Sequence, residues 1–276
     1  MAIAVMLAVL LLMVHVSGRS SDLFRVRDGR TVPFGAMVDD TAGSDIIVVG
    51  EIHGVPQHHA TELQVIRTLH EADTPLFIAM EMFRADSQKD LDAWTSGATT
   101  LERFLPVYYR NWRMPWPLYE DILLYAREHK IPLIGLNIPD RVADAVARRG
   151  FSALTDEERR QVPQGVSCTV DTRYMAFIRK AYIDHGIRDE QSFRYFCEAQ
   201  MLWDKSMAVH LVAALKAHPG KKAVVIAGVG HAWRRGIPEQ VSLISKYRLM
   251  VILPAIPGQT APGSVTLDDT DYLVLR

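Results

Sequence analysis

The sequence predicts an α/β fold, a mainly parallel sheet covered by helices with an inserted helical lobe, and three observations carry that prediction. Five short apolar runs alternate with stretches of helical spacing, each run stops abruptly at glycine or polar residues, and one long segment has helical periodicity with no strand-like run. Unbroken apolar runs suit strands buried on both faces, as in a parallel sheet between helices. Alternation of such runs with helices implies right-handed crossovers.

From the N-terminus, Ala2 to Val16 is an apolar run too short for a comfortable transmembrane span, followed by Ser17, Gly18, Arg19 and Ser20. It reads as a signal peptide over residues 1–18, leaving a single domain over 19–276; an uncleaved N-terminal membrane anchor is the alternative. No Cys follows the run, so lipid attachment to a new N-terminal Cys is excluded. An exported, periplasmic location is expected.

Ile46 to Val49 is the first strand, and Pro56 opens a crossover helix with Leu63, Ile66 and Leu69 at helical spacing. Leu76 to Met80 is the second strand. A helix over about 87–95, an aromatic-rich loop from Tyr108 to Trp116, and a helix ending near His129 lead to the third, Leu133 to Leu136. Residues 141–217 form the inserted helical lobe, with periodicity clearest from Tyr195 to Leu215. Ala223 to Ala227 and Met250 to Leu253 are the last core strands, and Tyr272 to Leu275 is an edge strand.

Charge names no partner: 31 basic residues against 32 acidic ones in 276 give no pull towards nucleic acid or an acidic membrane surface. Cys168 and Cys197 lack CxxC spacing, and in an oxidising compartment the pair is either bridged or two free thiols.

Ligands of open α/β sheets bind beyond the carboxyl ends of the strands, so the polar residues ending each run are the candidates. Gly50-Glu51-Ile52-His53 ends the first run, Glu81 the second, Asn137 the third, and Gly228-Val229-Gly230-His231 the fourth. Two carboxylates and two imidazoles thus project towards one rim. They suit a divalent metal, a general acid and base pair, or a polar cofactor group, and spacing does not choose among these. Helix capping and pairing with buried backbone are the structural alternatives. The glycine before each His would let the backbone turn sharply there. His58 or His59, at the start of the crossover helix, is placed to line the site.

Gln200 and Asp204 share a helix face one turn apart and could close the site from above, or form a solvated face. Tyr108, Tyr109, Arg110, Trp112, Trp116 and Tyr119 offer flat apolar surface beside a cation, suited to a planar anion or to packing on the core.

Six blocks in order carry a family resemblance: VVGEIHGVPQHHATELQVI (48–66), IAMEMFRADSQKDLDAW (78–94), NWRMPWPLYEDILLYAR (111–127), IPLIGLNIPDRVADAVARRG (131–150), AQMLWDKSMAVHL (199–211) and VVIAGVGHAWRRGIP (224–238). The chain resembles the ChaN family of iron-regulated haem-binding proteins, within the superfamily that includes TIKI or TraB-type metal-dependent proteases and erythromycin esterase-like proteins. The resemblance implies haem binding in an exported protein of haem or iron uptake, with a haem-uptake receptor as a further partner. It also implies a homodimer enclosing two stacked haems, each iron taken by a Tyr. Tyr174 and Tyr182 are the tyrosines expected there, Tyr174 first as the iron ligand, with His185 nearby and Arg173 or Arg179 to stabilise a tyrosinate. His53, His231, Arg110, Gln200 and Asp204 are the other expected haem contacts. The superfamily implies the alternative, a metal-dependent hydrolase holding zinc or manganese on Glu51, His53, Glu81 and His231.

Overall fold

The computed structural model describes residues 23–184 and 189–275. A hairpin of β1 (Leu23–Arg25) and β2 (Arg30–Val32) leads through α1 (Ala36–Thr41) to the central strand β3 (Ile46–Glu51). α2 (Pro56–Glu71), with Pro in its first turn, connects β3 to β4 (Leu76–Arg84). α3 (Gln88–Thr95), α4 (Leu101–Asn111) and α5 (Glu120–Glu128) precede β5 (Leu133–Asn137). The helical segment follows as α6 (Asp140–Arg149), α7 (Asp156–Arg159), α8 (Thr172–Asp184) and α9 (Glu190–Ala217). The chain ends with β6 (Lys222–Gly228), α10 (Val229–Ala232), α11 (Ile237–Ile244), β7 (Leu249–Pro254) and β8 (Tyr272–Val274).

The eight strands form one sheet in the order β2-β1-β8-β7-β3-β6-β4-β5. From β8 to β5 all neighbours are parallel, and the β1–β2 hairpin adds two antiparallel pairings at one side. All five runs expected as core strands are strands. Each splits its side chains between the two faces. Ile47, Val49, Ile78, Met80, Val224 and Ile226 pack under α2 to α5. Ile46, Val48, Phe77, Ala79, Val225 and Ala227 pack under α9 and α11.

Three expectations need correction. Tyr108 to Asn111 are not loop but the last turn of α4, which accommodates Pro106 and buries Phe104 and Tyr108 against the sheet. Tyr272 to Val274 are not an edge: β1, at three residues too short to read as a strand, covers their outer side. α9 is also more than lobe. Its first half packs with α6 and α8, while Met207, Ala208, Leu211 and Leu215 form the roof of the sheet.

Cys168 and Cys197 are bridged, tying the segment before α8 to α9. The bond closes a loop across 29 positions, which the chain-entropy relation values at about 3–4 kcal/mol. Replacing both cysteines by alanine is expected to lower the free energy of urea unfolding by about that amount. Unchanged unfolding in the double variant would show the bridge to be ornamental. Among the described residues no helix is long and apolar enough to cross a membrane.

The order of the strands fixes where a ligand can sit. β3 leads through α2 to β4 on one side, whereas β6, its neighbour, leads through α11 to β7 on the other. Connections that part in opposite directions leave a crevice beyond the carboxyl ends of the two strands. Glu51 ends β3, and Gly228 ends β6 opposite it.

Candidate functional site

Around that crevice the four rim residues and Asp204 come together as two histidine–carboxylate pairs, His53 with Glu51 and His231 with Asp204, facing one shared carboxylate, Glu81. His53 Nδ1 is hydrogen-bonded to Glu51 Oε1, which also accepts from the Tyr119 hydroxyl at 2.6 Å. His231 Nδ1 pairs with Asp204 Oδ1 at 2.7 Å, and the Tyr174 hydroxyl donates to the other Asp204 oxygen at 2.5 Å. The opposite nitrogens, Nε2 of His53 and of His231, stand 4.0 and 3.9 Å from Glu81 Oε1. Glu81 is itself held by the Gly228 amide, which donates to Oε2 at 2.7 Å. A carboxylate on Nδ1 fixes the plane of each ring and turns Nε2 towards the cleft.

The electrostatics follow from burial and partners together. Burial opposes the charge of Glu51, but His53, the facing His59 and the Tyr119 hydroxyl outweigh it and hold the carboxyl down at about 2. Burial likewise opposes a charged His231, yet Glu81 and Asp204 raise it to about 9. His53 is raised in the same way, against burial, by Glu51 and Glu81. Burial pushes Asp204 upward, partly offset by His231 and Tyr174. At neutral pH His231 is therefore an imidazolium, matched by the buried carboxylates of Glu81 and Asp204.

One glycine is dictated by this arrangement. A Cβ on Gly228 would lie 2.9 Å from His53 Cε1 and 3.0 Å from Nε2. Its φ is −53°, so close approach rather than backbone freedom demands glycine. Gly228→Ala is expected to push the His53 ring off Glu51 and lower its pKa, seen by NMR titration of the imidazole. An unmoved titration would refute that contact. Gly230, expected to make a sharp turn before His231, is needed for another reason: its Cα packs against the ring of Phe177, 2.7 Å from where a Cβ would be.

The cleft in front of the two imidazoles has a volume of about 340 Å³. Trp112, Met114 and Trp203 supply flat apolar wall, Arg84 and Arg113 supply positive charge, and Asn137, whose Nδ2 donates to the Glu81 carbonyl, lines the floor. Trp112 meets His53 edge-on with ring centres 4.9 Å apart.

Other residues expected at the site are elsewhere. Arg110 is exposed and paired with Asp90 at 2.9 Å, because it lies on the outer face of α4; the cations at the cleft are Arg84 and Arg113. Tyr174 is buried and committed to Asp204 behind His231, and burial with that carboxylate raises its pKa well above the usual value, which disfavours tyrosinate. Tyr182 is buried in the lobe and donates to the Asp189 carbonyl at 3.0 Å. Arg173 pairs with Asp269 and Arg179 with Glu190, so neither attends a tyrosine hydroxyl. Gln200, half-buried, takes no part in these hydrogen bonds, unlike Asp204 one turn later. His185 lies outside the described residues.

Of the neighbouring histidines, His58 Nδ1 accepts from the Ile52 amide, whereas His59 is buried with Nε2 2.6 Å from Glu51 Oε2. Trp203 and Glu62 were not singled out from sequence. The i, i+1 spacing of Trp203 with Asp204 and the i, i+3 spacing of Glu62 with His59 were the signals present.

The structure is similar to that of ChaN of Campylobacter jejuni, described by its cofacial haem binding, at 18% identity over 94% of this chain and 97% of that one, with a TM-score of 0.72. A mutant of the erythromycin esterase EreC in its open conformation matches at 15% identity over 92% and 84%, with a TM-score of 0.49. The type III effector HopBA1 matches at 11% identity over 86% and 90%, with a TM-score of 0.50. At these identities the likeness to the C. jejuni protein shows the fold alone. No curated protein sequence matches the chain. The family profile described as haem-binding uptake, Tiki superfamily, ChaN matches residues 37–241, a span that contains every residue of the cleft, and the chain belongs to that family.

Proposed function

We propose that this chain binds haem in the cleft beyond β3 and β6, in the service of haem or iron handling. The observation that carries the proposal is that the segment matching the haem-binding family encloses the whole cleft. The chemistry of the walls fits the ligand. Trp112, Met114 and Trp203 suit a porphyrin face, Arg84 and Arg113 suit propionates, and an imidazole anchored through Nδ1 is a sound donor to ferric iron. His53 is the proposed iron ligand, since its side chain is 34% exposed against 14% for His231. Tyr174 would have to release Asp204 before it could serve.

The cleft is open on one side, and the C. jejuni relative is described as binding haem cofacially. A second copy covering the open side, with two haems between the subunits, extends that arrangement to this chain. Export is part of the same proposal, supported by the bridged cysteines, which suit an oxidising compartment.

Titration with ferric haem tests the proposal. A saturable Soret change at one haem per chain, with a shift to dimer in size-exclusion chromatography, is expected. Linear, non-saturating absorbance would contradict it. Tyr174→Phe is expected to leave the haem spectrum unchanged; loss of a charge-transfer band in that variant would instead make Tyr174 the ligand.

Hydrolysis is the second function worth testing, because two Nδ1-anchored histidines facing one carboxylate also make an acid and base pair. A zinc or manganese ion on that rim would require the 3.9 and 4.0 Å gaps to close to about 3.3 Å, the separation of donors on one ion. Turnover of ester or amide substrates, lost in Glu81→Gln, would favour this function over haem binding alone.

A further inference from the structure

Behind the rim, on the side of Glu51 turned away from the cleft, lies a second cluster that shares only Glu51 with the proposed haem site. α2 presents His59 and Glu62 one turn apart on the same face. Glu62 is fully buried, Glu51 is 1% exposed and His59 is 4% exposed. Donor atoms of the three residues all lie within 4.8 Å of one another. Both oxygens of Glu62, Oε2 of Glu51 and both ring nitrogens of His59 are buried without a hydrogen-bond partner, although His59 Nε2 is 2.6 Å from Glu51 Oε2. Buried acceptors on two facing carboxylates call for something positive between them.

We propose that Glu51 Oε2, His59 and Glu62 hold a divalent first-row transition ion of the zinc or manganese class, as a structural centre distinct from the cleft. Two carboxylates and one imidazole form a mixed donor set that suits such an ion, whereas calcium and magnesium favour oxygen alone. The other Glu51 oxygen is already fixed by Tyr119 and His53, and the Tyr119 ring lies 4.4 Å from that of His59. An ion on Oε2 would therefore lock the carboxylate that orients His53, linking the buried centre to the rim. Loading needs the 2.6 Å approach of His59 Nε2 to Glu51 Oε2 to widen to about 3.3 Å, the separation of donors on one zinc ion with bonds of about 2.1 Å. The centre does not depend on haem, so its test and the haem titration fail separately.

The full haem-free chain, stripped with chelator and dialysed, is titrated with zinc sulfate or manganese chloride and assayed by elemental analysis and thermal melting. The expected result is about one ion per chain with a raised melting temperature. Glu62→Gln should bind at least tenfold more weakly and lose the melting shift, while His231→Ala should keep both. Absence of bound metal with an unchanged melting temperature in the wild type overturns the proposal, and leaves the two carboxylates sharing a proton. Zinc kept in Glu62→Gln and lost in His231→Ala overturns it equally, by placing the ion at the rim. If Glu62→Gln does not fold, His59→Gln takes its place in the same comparison.

Discussion

Asp204→Ala is expected to destabilise the fold by about 3–5 kcal/mol, the largest effect of any single substitution at the site. Asp204 is fully buried and answers two groups at once, accepting from Tyr174 and pairing with His231. Alanine leaves a buried hydroxyl without its acceptor and His231 with Glu81 as its one remaining counter-charge, and both costs fall on the folded state. Urea unfolding at neutral pH measures the loss. Asp204→Asn keeps the shape and one acceptor, and is expected to recover part of the stability while the pKa of His231 falls. A loss below about 1 kcal/mol for alanine would mean that the Tyr174–Asp204–His231 chain is not formed in solution.

Stability should also fall as pH rises from about 6.5 to 9, by about 3 kcal/mol from His231 alone. The sign follows from linkage. His231 is raised to about 9 in the folded protein against 6.5 when free, so the native state binds the proton more tightly. Its contribution is fully present below pH 6.5 and is lost as pH rises through 9. His53 is raised as well and acts in the same direction. Glu51 works at the other end: its carboxyl is depressed to about 2, so its contribution is present above about 4.5 and disappears as pH falls towards 2. Unfolding free energies at pH 6 and pH 9 check this directly, with His231→Gln expected to flatten the alkaline fall. An equal fall in that variant would remove His231 as its source.

The strands of the sheet and the rim were legible in sequence for one reason. Each core strand contains an unbroken apolar run, and Glu51, Asn137 and His231 stand where their strands end, so the rule placing ligands at carboxyl ends found them without contacts; Glu81 follows the run Leu76 to Met80 but lies within β4, which continues to Arg84 past an irregularity in its pairing with β5. Asp204 was legible only as a face of a helix, because its partner His231 is 27 residues away. Arg110 misled because residue type and neighbourhood in the chain do not tell which side of α4 a side chain takes. Tyr174 illustrates the same limit: a tyrosine beside arginines looks like an anionic ligand, but folding turns its hydroxyl inward to Asp204. Glu62 was invisible because a glutamate within an amphipathic helix normally faces water, and only the tertiary structure shows this one fully buried. β1 and β2 are three residues each; β1 gains its place from β8 and β2 from β1, rather than from their own pattern.

The most direct test of haem binding at this cleft is the Soret spectrum of the His53→Ala variant titrated with ferric haem beside the wild type. His53 lies on the wall with Nδ1 fixed and Nε2 turned towards the cavity, so its loss should change the Soret band and weaken binding at least tenfold. A variant that keeps the wild-type band and affinity would contradict the assignment of His53, and with it the placing of haem between β3 and β6.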